Sequence, residues 1–245
     1  MFKKVGDTLA IVFLAAFACA VIFFPLDVQQ GAGIKITEGS VSFWGGSRVV
    51  WGRLSDGLAN FGHFTAAFPY FMGFLKVGLL ATFGEMLKNR RKNGSWSVPS
   101  LVPRFILWGI TGMVFTLVFA LFGIGTEALM KTNLWFSCSN ETCNNILRAF
   151  STSLLQNLIF SYPMMLGHEW CNEVINRKKF LGGAEFLANL DSHVWGSFIP
   201  KTILYFWIPA HTVTFLLPKD YRVLMSAVLA LALGFLLTVK VKKNA

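Results

Sequence analysis

Long apolar stretches that hold almost no charge constrain this chain more than any other feature of its sequence. The principal runs are Leu9–Leu26, Phe64–Leu87, Phe105–Met130, Phe150–Leu166, Ile203–Leu217 and Val223–Val239. Crossing a hydrocarbon core of roughly 30 Å takes about 20 helical residues, and several of these runs suffice. Lipid offers no partner to a free N–H or C=O, so such runs must form helices or closed barrels. Barrel strands alternate apolar and polar residues, and these runs do not. The expected fold class is all-α: a polytopic transmembrane helical bundle of about six spans.

Charge supports that expectation. Only 14% of the residues are charged and 54% are hydrophobic, whereas a soluble domain has about a quarter of its residues charged. A net charge of +10 raises the question of nucleic acid. The basic residues sit between apolar runs, however, and not on a face interleaved with stacking aromatics, so no nucleic-acid partner is expected. They gather at Lys3-Lys4, at Lys88, Arg90, Arg91 and Lys92, at Arg177-Lys178-Lys179, and at Lys240, Lys242 and Lys243. Six spans bring all four groups to one side, which places the N- and C-termini on the cytoplasmic side.

Three segments follow. Residues 1–26 read as an N-terminal transmembrane anchor. A signal sequence has the same layout, with Ala18-Cys19-Ala20 as its small-residue site, but the apolar run continues past it through Val21–Phe24, which favours an uncleaved anchor. Residues 27–60 form a polar extracytoplasmic segment in which the alternating stretch Ile34–Trp44 makes a hairpin or lies on the membrane surface. Residues 61–245 form the main helical membrane domain, where Gly109, Gly112, Gly123 and Gly125 offer close helix contact. The loop before the fourth run holds Cys138 and Cys143 on the outer side. They are a candidate disulfide, with two free thiols as the alternative.

Signs of a reaction are few. His168-Glu169-Trp170-Cys171-Asn172-Glu173 is the densest group of metal-ligand types, but it lacks the spacing that puts two imidazoles on one helix face. No metal and no cofactor is expected, and Cys171 has no evident base beside it, so the chain does not read as an enzyme. Polar residues within the runs carry more information, because lipid makes them costly. Lys76, Gln156, Asn157, His211 and Thr214, with Glu85 near the end of the second run, either line a water-filled path or hydrogen-bond helices together. At its depth Lys76 needs a carboxylate, water, or a route along which to extend its stem.

The spacing of these residues resembles the Mpv17/PMP22 family of small integral membrane proteins, known from mitochondrial inner and peroxisomal membranes. Pro69, Gly78, Leu80, Gly84 and Glu85 follow the family's Pro…Gly-x-Leu-x-x-x-Gly-Asp pattern, with Asn89 where Gln is usual. Trp207, His211, Thr214-Phe215, Pro218 and Arg222 track its closing signature, and Leu155–Pro163 is similar to its Asp-Gln…Pro segment. Arg104 and Trp108-Gly109 match the start of the third run, which then departs from the family at Val114-Phe115. The resemblance covers about residues 64–243 and leaves the first run as an addition.

It implies a weakly selective channel or transporter for small solutes, with Arg222 among the residues of interest, and the buried charge of Lys76 would favour anionic ones. The alternative is a structural or partner-binding membrane protein without a transport path. Expected partners are the lipid bilayer and small anionic solutes, with a homo-oligomer as a further option. The short basic start, lacking an Arg-rich amphipathic leader, points to a bacterial inner membrane, an organelle membrane being the alternative.

Overall fold

A computed structural model describes residues 2–29, 35–37, 40–42 and 48–242. Among the described residues the chain is helical apart from four short strands, and it divides into two compact units, 1–72 and 73–245. In the first unit, helix α1 (Phe2–Ile22) leads into strand β1 (Leu26–Gln29), which pairs antiparallel with β4 (Arg48–Trp51), Leu26 opposite Trp51. Strands β2 (Lys35–Thr37) and β3 (Ser40–Ser42) pair within the alternating stretch, in the hairpin form expected there. The remaining residues of Ile34–Trp44 lie outside those described, as does Lys243.

Helix α2 (Gly57–Ala67) closes this unit. Its buried Asn60 donates to the carbonyls of Phe24 and Arg53, each at 3.1 Å, which ties both strands to one helix at the Leu26–Trp51 end of the ladder. Phe24 packs edge-on against Phe61 at 5.5 Å.

Helix α3 is Pro69–Asn93. The apolar run expected from Phe64 to Leu87 is therefore broken, because Phe68 (φ −127°, ψ 59°) is not helical. The ring of Pro69 disfavours helical backbone at the residue before it and opens a new helix instead.

Among the described residues, three helices are long and apolar enough to cross a membrane: Val5–Ile22, Pro69–Asn93 and Leu101–Lys131. The last is α4. The run Phe150–Leu166 lies on a continuous stretch, α5 (Glu141–Gln156), a π-turn (Asn157–Ser161) and α6 (Tyr162–Arg177). After the short α7 (Gly183–Ala188), a second stretch holds a π-turn (Val194–Phe198), α8 (Ile199–Thr202), a third π-turn (Ile203–Trp207) and α9 (Ile208–Leu216). Helix α10 (Lys219–Lys242) ends the chain.

Proline accounts for the π-turns. Pro163, Pro200 and Pro209 each stand two residues past the end of one. A proline inside a helix lacks the N–H and crowds the carbonyl four residues earlier. Those carbonyls belong to Ile159, Gly196 and Tyr205, the central residue of each π-turn. Widening the turn relieves the clash and re-aims the neighbouring side chains.

Polarity in α5 is inverted. Ser151, Thr152, Ser153, Gln156 and Asn157 are buried, while Ile146, Phe150, Leu158 and Ile159 are exposed. Along α4, Ile106, Ile110, Leu117, Leu121 and Ile124 form an exposed apolar stripe. Water would drive the reverse arrangement; lipid favours this one.

Helices α3 and α4 approach through glycine. A Cβ on Gly112 would meet the Gly73 carbonyl oxygen and come within 2.7 Å of Val77 Cβ, and one on Gly109 would strike the Phe74 ring. Gly125, expected to serve the same contact, has nothing within 4 Å of such a Cβ, and Gly123 has only Arg222, at 3.8 Å. We expect Gly112→Leu to destabilise the protein by about 1–3 kcal/mol or more by overpacking. Gly125→Leu should stay within about 0.5 kcal/mol of the parent. Chemical unfolding in detergent micelles distinguishes the two.

Candidate functional site

Four helical stretches enclose a cavity of about 310 Å³. They are α4, the α5–α6 stretch, the α8–α9 stretch with its two π-turns, and α10. All three π-turns contribute to the wall: Phe160 and Ser161 from the first, Val194 and Trp195 from the second, Trp207 from the third. The wall is mostly aromatic and aliphatic, with Gln156, Ser161, His168, Glu169, His211 and Ser226 as its polar members. A small apolar pocket with a few convergent polar groups is the usual form of a ligand site.

Two buried polar atoms of this wall, Gln156 Oε1 and His168 Nε2, lack a hydrogen-bond partner among the described residues. Gln156 is only 2% exposed. An unsatisfied buried polar atom costs about 1–3 kcal/mol, so two on one cavity make it the candidate functional site.

His168 lies beyond the last residue of the Phe150–Leu166 run. Burial, and then the nearby Arg104 guanidinium, push it down to about 4, so it is neutral at pH 7. Asn172 sits 3.2 Å from His168 Nδ1 and accepts from Arg104 Nη1 through its own oxygen at 3.4 Å. That leaves the Asn172 amide to donate to Nδ1, so the ring proton resides on Nε2 and faces the cavity. Burial also pushes the Cys171 thiol up, away from the thiolate a nucleophile requires.

Beside the cavity lies an ion-pair cluster. Glu85 accepts from Arg104 Nη1 at 3.0 Å and from the Trp108 indole at 2.8 Å. Arg104 also donates to Pro99 O, Asn172 and Asn176, and the Trp108 ring rests 3.9 Å from that of His168. Asn89 clasps the following loop by donating to the carbonyls of Ser95 and Ser97.

The polar residues singled out from the sequence thus separate into groups. Gln156 and His211 share the cavity. Asn157, fully buried, bonds to Ser153 O at 2.8 Å, accepts from Ser161 and meets His211 Nδ1 at 3.1 Å, while His211 Nε2 meets Ser226 at 3.3 Å. Thr214 is fully buried and donates to Ala210 O. Arg222 donates to the Leu217 carbonyl at the end of α9, where cations suit a helix terminus, and lies 5.4 Å from the Phe215 ring. Lys76 is buried and donates to the Asp220 carbonyl at 3.3 Å in the first turn of α10. It does not line the cavity, so the anion preference expected from it has no basis there. Glu85 belongs to the Arg104 cluster.

Cys138 and Cys143 are joined as a disulfide, and Asn140 caps α5 beside them by accepting from Cys143 N. From sequence, Trp108 is named only as part of a family motif, and Trp195 and Ser226 are not singled out. The three prolines within or beside apolar runs were the available signal for where the helices open.

Compared with known proteins, the chain matches no family model, no curated sequence and no solved structure.

Replacing Glu85 by Leu removes the acceptor of both Arg104 and the Trp108 indole. We expect a loss of about 1.5–3 kcal/mol, the range for hydrogen bonds to charged groups. Loss of the stacked Trp108 environment should also appear as a shift in near-ultraviolet circular dichroism.

Proposed function

We propose that this chain is a multi-pass membrane protein that admits small solutes to its interior cavity and passes them across the bilayer, as a channel or transporter of low selectivity. The single observation supporting the reading is the cavity with its two unpartnered polar atoms, bordered by three π-turns. Such turns recur at functional sites because they trade regular helix bonding for altered side-chain direction. Six spans with both termini on the cytoplasmic side, kinship with the Mpv17/PMP22 family, and residence in a bacterial inner membrane belong to the same proposal. They rest on charge placement and motif order in the sequence.

A second reading, a structural membrane protein without a path, draws on the Ser153–Asn157–Ser161–His211–Ser226 network. These groups satisfy one another within the bundle, as interhelical hydrogen bonds do.

Proteoliposomes separate the two. Solute release should exceed that of empty vesicles and be lost on Ala230→Leu, which fills the cavity. Asn157→Leu should lower the unfolding midpoint, by about 1–3 kcal/mol for the groups it strands. No release above empty vesicles would leave the structural reading standing.

A further inference from the structure

We propose that the cavity is a binding site for a small amphipathic organic cation, an amine with an aromatic or branched alkyl body, whose ammonium group is taken by Glu169. This deepens the small-solute reading and rests on it in one respect, that the cavity accepts a ligand.

Charge comes first. No Lys or Arg contributes to the cavity wall. Glu169 does, and among the described residues no cation pairs with it and no donor bonds to it. Arg104, whose charge bears on the wall residue His168, is engaged by Glu85, Asn172 and Asn176. An anion entering here would meet an unbalanced carboxylate with no cation to receive it, whereas an ammonium supplies the missing charge.

Hydrogen bonding points the same way. Gln156 Oε1 and the Glu169 carboxylate both accept, and neither has a donor among the described residues. His168 Nε2–H is a buried donor on the same wall with no partner among the described residues. Two acceptors without a donor on one cavity suit a ligand that brings N–H groups.

The rest of the wall suits such a molecule. Trp108, Trp195, Trp207, Phe115 and Phe160 present ring surface, which attracts an ammonium through the ring quadrupole and receives an apolar body by burial. At about 310 Å³ the space is at the small end for ligand pockets, and so takes a compact molecule.

Three matched probes test this on the full chain in detergent: 2-phenylethylamine, 2-phenylethanol and 3-phenylpropionate at pH 7. Quenching of intrinsic fluorescence reports binding, since three of the eight tryptophans line the cavity. The amine should bind about tenfold or more tightly than either of the others, the factor that about 1.4 kcal/mol of charge recognition gives. Glu169→Gln should erase that preference, and Ala230→Leu should abolish amine binding in a protein whose circular dichroism confirms folding. Equal or tighter binding of the propionate, a preference that survives Glu169→Gln, binding that survives Ala230→Leu, or no binding of any probe would each overturn the proposal. Amine binding without flux in proteoliposomes would sink the transport reading and leave this one intact; flux without amine binding would do the opposite.

Discussion

The geometry of this bundle depends on what a proline does to the turn that precedes it. The ring withholds one donor and pushes the carbonyl four residues back out of line. In an apolar surround that carbonyl has no water to turn to, so the helix must widen until another amide reaches it. Pro163, Pro200 and Pro209 impose this at Ile159, Gly196 and Tyr205. All three widened turns border one cavity. Ordinary α-helix along these stretches would carry Ser161, Trp195 and Trp207 about different angles, and the wall they share would not assemble.

Around the cavity, polar groups serve distinct ends. The α5–α9 seam satisfies Ser153, Asn157 and His211 internally and fixes how two helices meet. Lys76 reaches the first turn of α10 and bridges elements far apart in sequence. Glu85 and Arg104 hold α3, α4 and α6 together at one end. Gln156 and His168 keep buried atoms without a partner on the cavity, among the described residues. Burial of a polar group is therefore a poor guide to its role until its partners are known.

The sequence exposes some of this and conceals the rest for definable reasons. Apolar run length and charge placement locate the helices, because both follow from local composition. Pairing of Asn157 with His211, 54 positions apart, depends on helix rotation, to which no local pattern responds. Lys76 looks from sequence like a pore cation, yet its long stem carries the ammonium to Asp220. The break at Phe68 and the three π-turns were readable in principle, since each has a proline at a fixed offset. Gly112 and Gly125 cannot be told apart from sequence, as they differ only in what the neighbouring helix presents.

Trp108 has two employments. Its indole N–H holds Glu85 at 2.8 Å, while its ring lies against His168 and forms part of the cavity wall. One rigid side chain thus belongs to both the ionic cluster and the chamber, and neither can be rearranged without moving it. By reciprocity, whatever free energy the cluster expends in holding that ring in place is felt by any guest that touches it, and the guest's own preference is returned to the ion pair in equal measure.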